Sequence, residues 1–219
     1  MSKKDKKENE DMMKVITLGE SGVGKSSIIK RYVKNIFEDE TLSTIGLNFY
    51  YKQIKLKNGK TLQFKLIDTA EQEKYKALSK SYFKNAEAVL FIFAFNSQDS
   101  FDNIKNWIEL FDENRNGKTG IPKYLVGNKS DKEKEVDDGL INQLKEEYKD
   151  FKYYKTSAKN NDGIDKMFQD LGEDLYKILV EKKGNPKTQK GIKITKYSKP
   201  KPKKDCICSS GNEDIKNKD

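Results

Sequence analysis

The sequence predicts a doubly wound α/β domain built on a mostly parallel six-stranded sheet with one antiparallel edge strand. Three observations carry that prediction. Short β-branched and apolar runs alternate with stretches of helical periodicity. Two of those runs are continuously apolar, as central parallel strands covered on both faces are. One further pair flanks Asn58-Gly59, the strongest short-range signal for a hairpin.

Residues 14–18 (KVITL) read as a strand that stops at Gly19, and Ile28, Ile29, Tyr32 and Val33 recur at helical spacing in 25–34. Residues 49–56 and 62–67 pair antiparallel across the Asn58-Gly59 turn. Residues 88–95 and 124–126 are the buried central strands, and 151–155 is a weaker sixth. Ser97-Gln98-Asp99-Ser100 reads as a cap ahead of a helix carrying Phe101, Ile104, Trp107, Ile108 and Phe111 on one face. Two more helices are expected over 138–149 and 162–180. Residues 1–12 read as a disordered charged segment, 13–181 as one domain, and 182–219 as a disordered tail whose lysines, glycines and prolines cannot bury enough apolar area to offset ordering entropy.

Composition excludes several function classes. The longest apolar run, 88–95, falls far short of the roughly 20 residues a helix needs to cross a bilayer. The first residues lack the apolar stretch of a secretory signal, so a reducing compartment is expected. There is no histidine and there are only two cysteines, Cys206 and Cys208, which rules out histidine-based catalysis, a structural zinc site and a disulfide scaffold. The net charge of +9 suggests nucleic acid until it is located. Ten lysines and no acid lie in 182–204, so the remainder of the chain is close to neutral and a basic groove for a phosphate backbone has little composition behind it.

Gly19-Glu20-Ser21-Gly22-Val23-Gly24-Lys25-Ser26 fits G-x-x-x-x-G-K-[ST] and sits between a predicted strand and a predicted helix, the context the pattern requires. The glycines let the backbone close around phosphates, so that amide groups and a helix N-terminus face negative charge. Ser21, Gly22, Val23, Gly24, Lys25, Ser26 and Ser27 are the candidate contacts. Lys25 would reach the β and γ phosphates and Ser26 would ligate Mg²⁺. The alternative is an ordinary glycine-rich turn.

The rest of the chain resembles the Ras-like small GTPases in motif order from Met13 to about Val180. Thr44-Ile45-Gly46 resembles the first switch, Asp68-Thr69-Ala70 the start of the second, Asn128-Lys129-Ser130-Asp131 the guanine specificity motif, and Ser157-Ala158-Lys159 the last base-contacting loop. The resemblance implies a P-loop GTPase fold that hydrolyses GTP to GDP with Mg²⁺. It also implies a metal site of Ser26, Thr44 and Asp68, the last holding the ion through water, an Ala158 amide meeting the guanine carbonyl, and Phe37 against the base face. An Asp131 carboxylate can accept two hydrogen bonds from guanine, a pairing adenine cannot offer. Gln72 would orient the attacking water, with an arginine supplied in trans by a GTPase-activating protein. Within the superfamily the Rab branch is the nearest resemblance, through Ile45-Gly46-Leu47-Asn48-Phe49 and 65–70 followed by Tyr75, Ser81, Tyr82 and Phe83. It implies a switch of vesicle traffic, acting as a monomer with exchange factors, activating proteins and effectors, on the cytoplasmic face of endomembranes. Phe49 and Tyr82 match two of three effector-facing aromatics. Ile67 stands in place of the third, and plain sheet packing is the alternative for both rings.

Two departures matter. Glu71 replaces the glycine of the second-switch motif, whose amide serves the γ phosphate. A left-handed backbone there would cost roughly 1 to 3 kcal/mol and the carboxylate would repel a triphosphate. Either switching is impaired, to the point of a nucleotide-binding pseudo-GTPase adaptor, or Glu71 points to solvent and only its amide matters. The Cys206-Ile207-Cys208 segment resembles a prenylation signal but is followed by eleven residues. With lipid, the lysine tail would supply the second of two anchoring signals; without it the cysteines are free thiols on a tail.

Overall fold

Alternation along each central strand sends successive side chains to opposite faces, and both faces are covered. A computed structural model describes residues 12–39, 46–69, 82–115 and 117–184. Thr44, Glu71, Gln72, Cys206, Cys208 and the lysine run beyond Lys183 lie outside the described residues, as do Tyr75 and Ser81. The strands are β1 (Met12–Leu18), β2 (Leu47–Lys55), β3 (Thr61–Thr69), β4 (Ala88–Ala94), β5 (Lys123–Asn128) and β6 (Lys152–Lys155). The helices are α1 (Lys25–Lys34), α2 (Gln98–Asp102), α3 (Ile104–Asn114), α4 (Asp138–Glu147) and α5 (Ile164–Gly184).

The sheet runs β2-β3-β1-β4-β5-β6, and only β2 is antiparallel to its neighbour. This is the six-stranded doubly wound sheet expected from the sequence. β1 sits between β3 and β4, with Val15 opposite Leu66 on one side and Ala88 on the other. Val15, Leu66, Leu90, Ile92 and Val126 face α1 and α5, against Ile28, Ile29, Ile164, Met167 and Phe168. Ile16, Ile67, Phe91, Phe93 and Leu125 face α3 and α4, against Ile104, Ile108, Phe111, Ile141 and Leu144. Every residue of β4 is buried, and each large apolar side chain so placed contributes about 1.5 to 3 kcal/mol of transfer free energy. Tyr32 stacks on Phe168 at 3.9 Å between ring centroids and joins α1 to α5.

The structure departs from the expected elements in two informative places. The single helix expected after Ser97 is two, broken at Asn103. The Asn103 backbone N–H keeps its helical bond to the Asp99 carbonyl at 3.1 Å, and the Asn103 side-chain amide donates to the same carbonyl at 3.1 Å. The helix expected from 162 starts at Ile164, because Asp162 pairs with Ser157 through two backbone hydrogen bonds of 3.1 and 2.9 Å. Gly163 then turns the chain at φ 70°, where an added Cβ would lie 2.3 Å from the Lys155 carbonyl oxygen, so only glycine fits.

Candidate functional site

The strand order reverses where the chain passes from β3 to β4 across β1, and open α/β sheets bind ligands outside the carboxyl ends of strands at such a point. A cavity of about 180 Å³ lies there. Its lining brings together Ser21, Gly22, Gly24, Lys25, Ser26 and Ser27 from the glycine loop, Phe37, and Asn128, Lys129, Asp131, Ala158 and Lys159 from the loops after β5 and β6. Val23, Asp68 and Ser157 are buried beside it.

The glycine loop takes its shape from what crosses behind it. Gly24 caps α1 at φ 96°, and a Cβ there would sit 2.3 Å from Asn128 Nδ2. That amide in turn donates to the Val23 carbonyl at 2.8 Å. Glycine is therefore required by both backbone conformation and close approach. Lys25 is 7% exposed, and its ammonium donates to the carbonyls of Gly19 and Glu20 at 2.9 and 3.0 Å, which holds its charge against the loop. The Trp107 indole N–H donates to Glu20 Oε1 at 3.1 Å and braces the loop from α3.

Asp68, near the end of β3, is fully buried, and neither carboxylate oxygen accepts a hydrogen bond. Burial raises its pKa above the ordinary carboxylate value, opposed by the neighbouring Ser26 hydroxyl and the ammonium groups of Lys25 and Lys30. A buried carboxylate with two open oxygens next to a serine hydroxyl fits a hard divalent cation. Mg²⁺ in particular takes one or two protein oxygens and completes its shell with water and phosphate. Among the described residues no group of three or more histidines, cysteines or acids marks a more fully protein-ligated metal. Thr69 Oγ1 donates to the Thr17 carbonyl at 2.7 Å and Thr17 Oγ1 to the Ile67 carbonyl at 3.2 Å, fixing the end of β3 against β1.

On the other side, Asn128 is a junction. Its Oδ1 accepts from Thr156 Oγ1 at 3.2 Å and from the Ala158 N–H at 3.3 Å, while its amide holds Val23. The Ala158 N–H assigned to a guanine carbonyl is thus already engaged, and meeting a base takes a shared or exchanged bond. Ser157 Oγ donates to Asp131 Oδ1 at 2.5 Å and accepts from the Asn160 N–H at 3.0 Å. Lys129 sits at φ 60°, and burial, then Lys132, lowers its pKa. Phe37 is half-buried with the Arg31 guanidinium carbon 5.8 Å from its ring centre. Lys159 lies 3.8 Å from Asp39.

Sequence reasoning missed Arg31, Thr156 and the Trp107–Glu20 bond. Their partners are distant in sequence, 127 residues away for Arg31 and Ala158, and no spacing rule reaches that far. Outside the cavity, Phe49 is 39% exposed with its ring 5.9 Å from that of Tyr82, while Ile67, directly opposite Phe49 across the β2–β3 ladder, is buried. For Phe49 the exposed alternative is the one observed.

A sequence profile described as the Ras family matches residues 14–177. Ras-related protein Rab-1D of Dictyostelium discoideum is 34% identical over 182 residues, covering 82% of this chain and 87% of the relative. Ras-related protein Rab-11B of the same organism is 38% identical over 174 residues, covering 78% and 77%. Ras-related protein RABE1e of Arabidopsis thaliana is 31% identical over 188 residues, covering 84% of each.

Proposed function

The chain belongs to the Rab family of Ras-like small GTPases, a GTP-hydrolysing enzyme using GTP, GDP and Mg²⁺, and from that premise we propose the residues that do its work and the process it serves. The observation that carries the assignment is the meeting of the glycine loop, Asn128 and Asp131 around one cavity at the switch point of the sheet, with Asp68 next to Ser26 and Ser157 bonded to Asp131.

Backbone amides of the glycine loop and the N-terminus of α1 face the phosphates, and Lys25 presents a buried ammonium to them. Ser26 and Asp68, with Thr44, would hold Mg²⁺, which would supply positive charge to offset that of the phosphate oxygens. Asp131, oriented by Ser157, accepts two hydrogen bonds from guanine. Asn128 keeps the phosphate loop and the base loop in fixed relation, since one side chain bonds to both. Phe37 covers one base face. Gln72 orients the attacking water, and an activating protein supplies the arginine without which such enzymes are slow.

The cycle serves vesicle traffic on the cytoplasmic face of endomembranes, as a monomer handled by exchange factors and activating proteins and read by effectors through the exposed Phe49 and the half-buried Tyr82 beside it. The lysine tail adds electrostatic attraction to anionic lipid, and Cys206 and Cys208 are the sites of the lipid that completes the anchor. No helix among the described residues is long and apolar enough to cross a membrane.

Single-turnover GTP hydrolysis, with GDP and GTP binding as controls, on the natural protein and on Glu71→Gly tests the reading. Equal rates support an ordinary switch. A clear gain on restoring glycine, with partner binding equal in the GDP and GTP-analogue states, supports the nucleotide-binding adaptor to which Glu71 points. Absence of guanine-nucleotide binding overturns both.

A further inference from the structure

Arg31 lies in the last turn of α1, the helix whose first residue is Lys25. Its guanidinium joins three segments. Nε donates to the Ala158 carbonyl at 2.8 Å and Nη2 to the Lys159 carbonyl at 3.0 Å. Nη1 donates to both the backbone carbonyl and Oδ1 of Asn35 at 3.2 Å each. The guanidinium carbon lies 5.8 Å from the centre of the Phe37 ring. A planar fork with five donors can meet this set at once; a single ammonium cannot.

We propose that Arg31 is a positioning residue for the guanine base, setting the loop that contacts it, the ring that covers it and the carboxylate that selects it. The proposal rests on the nucleotide-site reading above and adds a residue to it. A trans peptide points its N–H opposite to its C=O. Holding the Ala158 carbonyl toward α1 therefore turns the Lys159 N–H away from α1. Holding the Lys159 carbonyl sets the Asn160 N–H, which donates to Ser157 Oγ at 3.0 Å. That same hydroxyl donates to Asp131 Oδ1. A chain of bonds thus runs from Arg31 through the 159–160 peptide and Ser157 to the carboxylate that reads guanine. Through Asn35, which leaves α1 at φ 55°, the same guanidinium sets the path to Phe37. Because Arg31 and Lys25 share one helix, the spacing between the base loop and the phosphate loop is fixed by the rise of α1.

The test is GDP dissociation from the full chain, together with the ratio of GDP to inosine diphosphate affinity, in the natural protein, Arg31→Ala and Arg31→Lys. Inosine lacks the amino group that makes one of the two bonds to Asp131, so the ratio reports how well that carboxylate is aimed. Arg31→Ala is expected to release GDP about 10- to 100-fold faster, as loss of several hydrogen bonds from a charged donor predicts, and to narrow the ratio. Arg31→Lys, able to reach one carbonyl, is expected to fall between. Dissociation within twofold of the natural protein and an unchanged ratio overturns the proposal. If Arg31→Ala shows no cooperative melting in saturating GDP, Arg31→Lys alone carries the same two criteria. A natural protein that fails to bind GDP overturns the nucleotide-site reading itself, an outcome distinct from a silent Arg31.

Discussion

On the base side of the cavity, Asn128, Ser157 and Asp131 engage protein partners through their polar atoms, whereas on the phosphate side Asp68 is fully buried with both carboxylate oxygens unbonded. The base side is assembled by the fold alone, through bonds between loops that follow β5 and β6. The phosphate side holds a buried carboxylate whose desolvation the Ser26 hydroxyl and the Lys25 and Lys30 ammonium groups offset only in part, and an unsatisfied buried polar group costs about 1 to 3 kcal/mol. One half of the site is preorganised. The other is a place where a ligand relieves a penalty, and anything that binds only the folded state adds its binding free energy to stability.

The contrast can be broken most severely at the base. Asp131→Asn removes an acceptor of two charge-assisted bonds, and at about 1.5 kcal/mol or more for each it should lower GDP affinity by roughly 100-fold or more in a displacement titration. A loss under threefold would mean that the base side selects guanine by other atoms. Next in size is Gly24→Ala, which places a Cβ against Asn128 Nδ2 in a left-handed backbone. A strain of about 2 kcal/mol should lower the melting temperature by roughly 4 to 8 °C for a domain of this size. An unchanged melting curve would show that the Asn128 junction adjusts freely.

Asp68→Asn sharpens the contrast from the opposite side. Without Mg²⁺ and nucleotide, the variant should be more stable than the natural protein near neutral pH in denaturant melts, because an amide in the same place carries no charge to desolvate. The sign follows from the raised folded pKa. The native state binds the proton more tightly than the unfolded chain does, so the penalty is complete above the folded pKa and relieved as pH falls toward the ordinary value of 3.8. The two proteins should therefore converge as pH falls to about 4, whereas the Mg²⁺-dependent gain in melting temperature should be lost in the variant. A gap that does not narrow would assign the effect to packing. The smallest effect is expected of Trp107→Phe, which removes the indole bond to Glu20 and should cost about 1 kcal/mol. Trp107 is the single tryptophan of the chain, so its fluorescence in the natural protein should shift when GDP fills the loop. Absence of any shift would place the loop and α3 out of contact with bound phosphate.

The fold and the phosphate loop were legible because both are written in local pattern. Continuous apolar runs, the Asn58-Gly59 turn and the G-x-x-x-x-G-K-[ST] string each reflect a constraint acting within a few residues. The break at Asn103 was not legible, because helical spacing of Phe101, Ile104 and Trp107 continues across it. The start of α5 shifted to Ile164 because Asp162 is claimed by Ser157, a pairing that belongs to the loop and not to helix periodicity. Phe49 exposed and Ile67 buried, on facing positions of one ladder, follow from an edge strand meeting a central one. Neither residue's type decides that.

By itself the sequence determined the order of strands and helices, the residue types that face phosphate, metal and base, and the family to which the chain belongs. Only the tertiary structure decided which of those residues touch ligand space and which hold their neighbours. Asn128 became the junction of two loops, Asp68 was left with open oxygens, and Arg31 came to bridge α1 and the base loop. The reason is physical. Periodicity and motif report forces between residues near in sequence, whereas a hydrogen bond between groups more than a hundred positions apart exists only after the sheet has brought its strand ends to one rim.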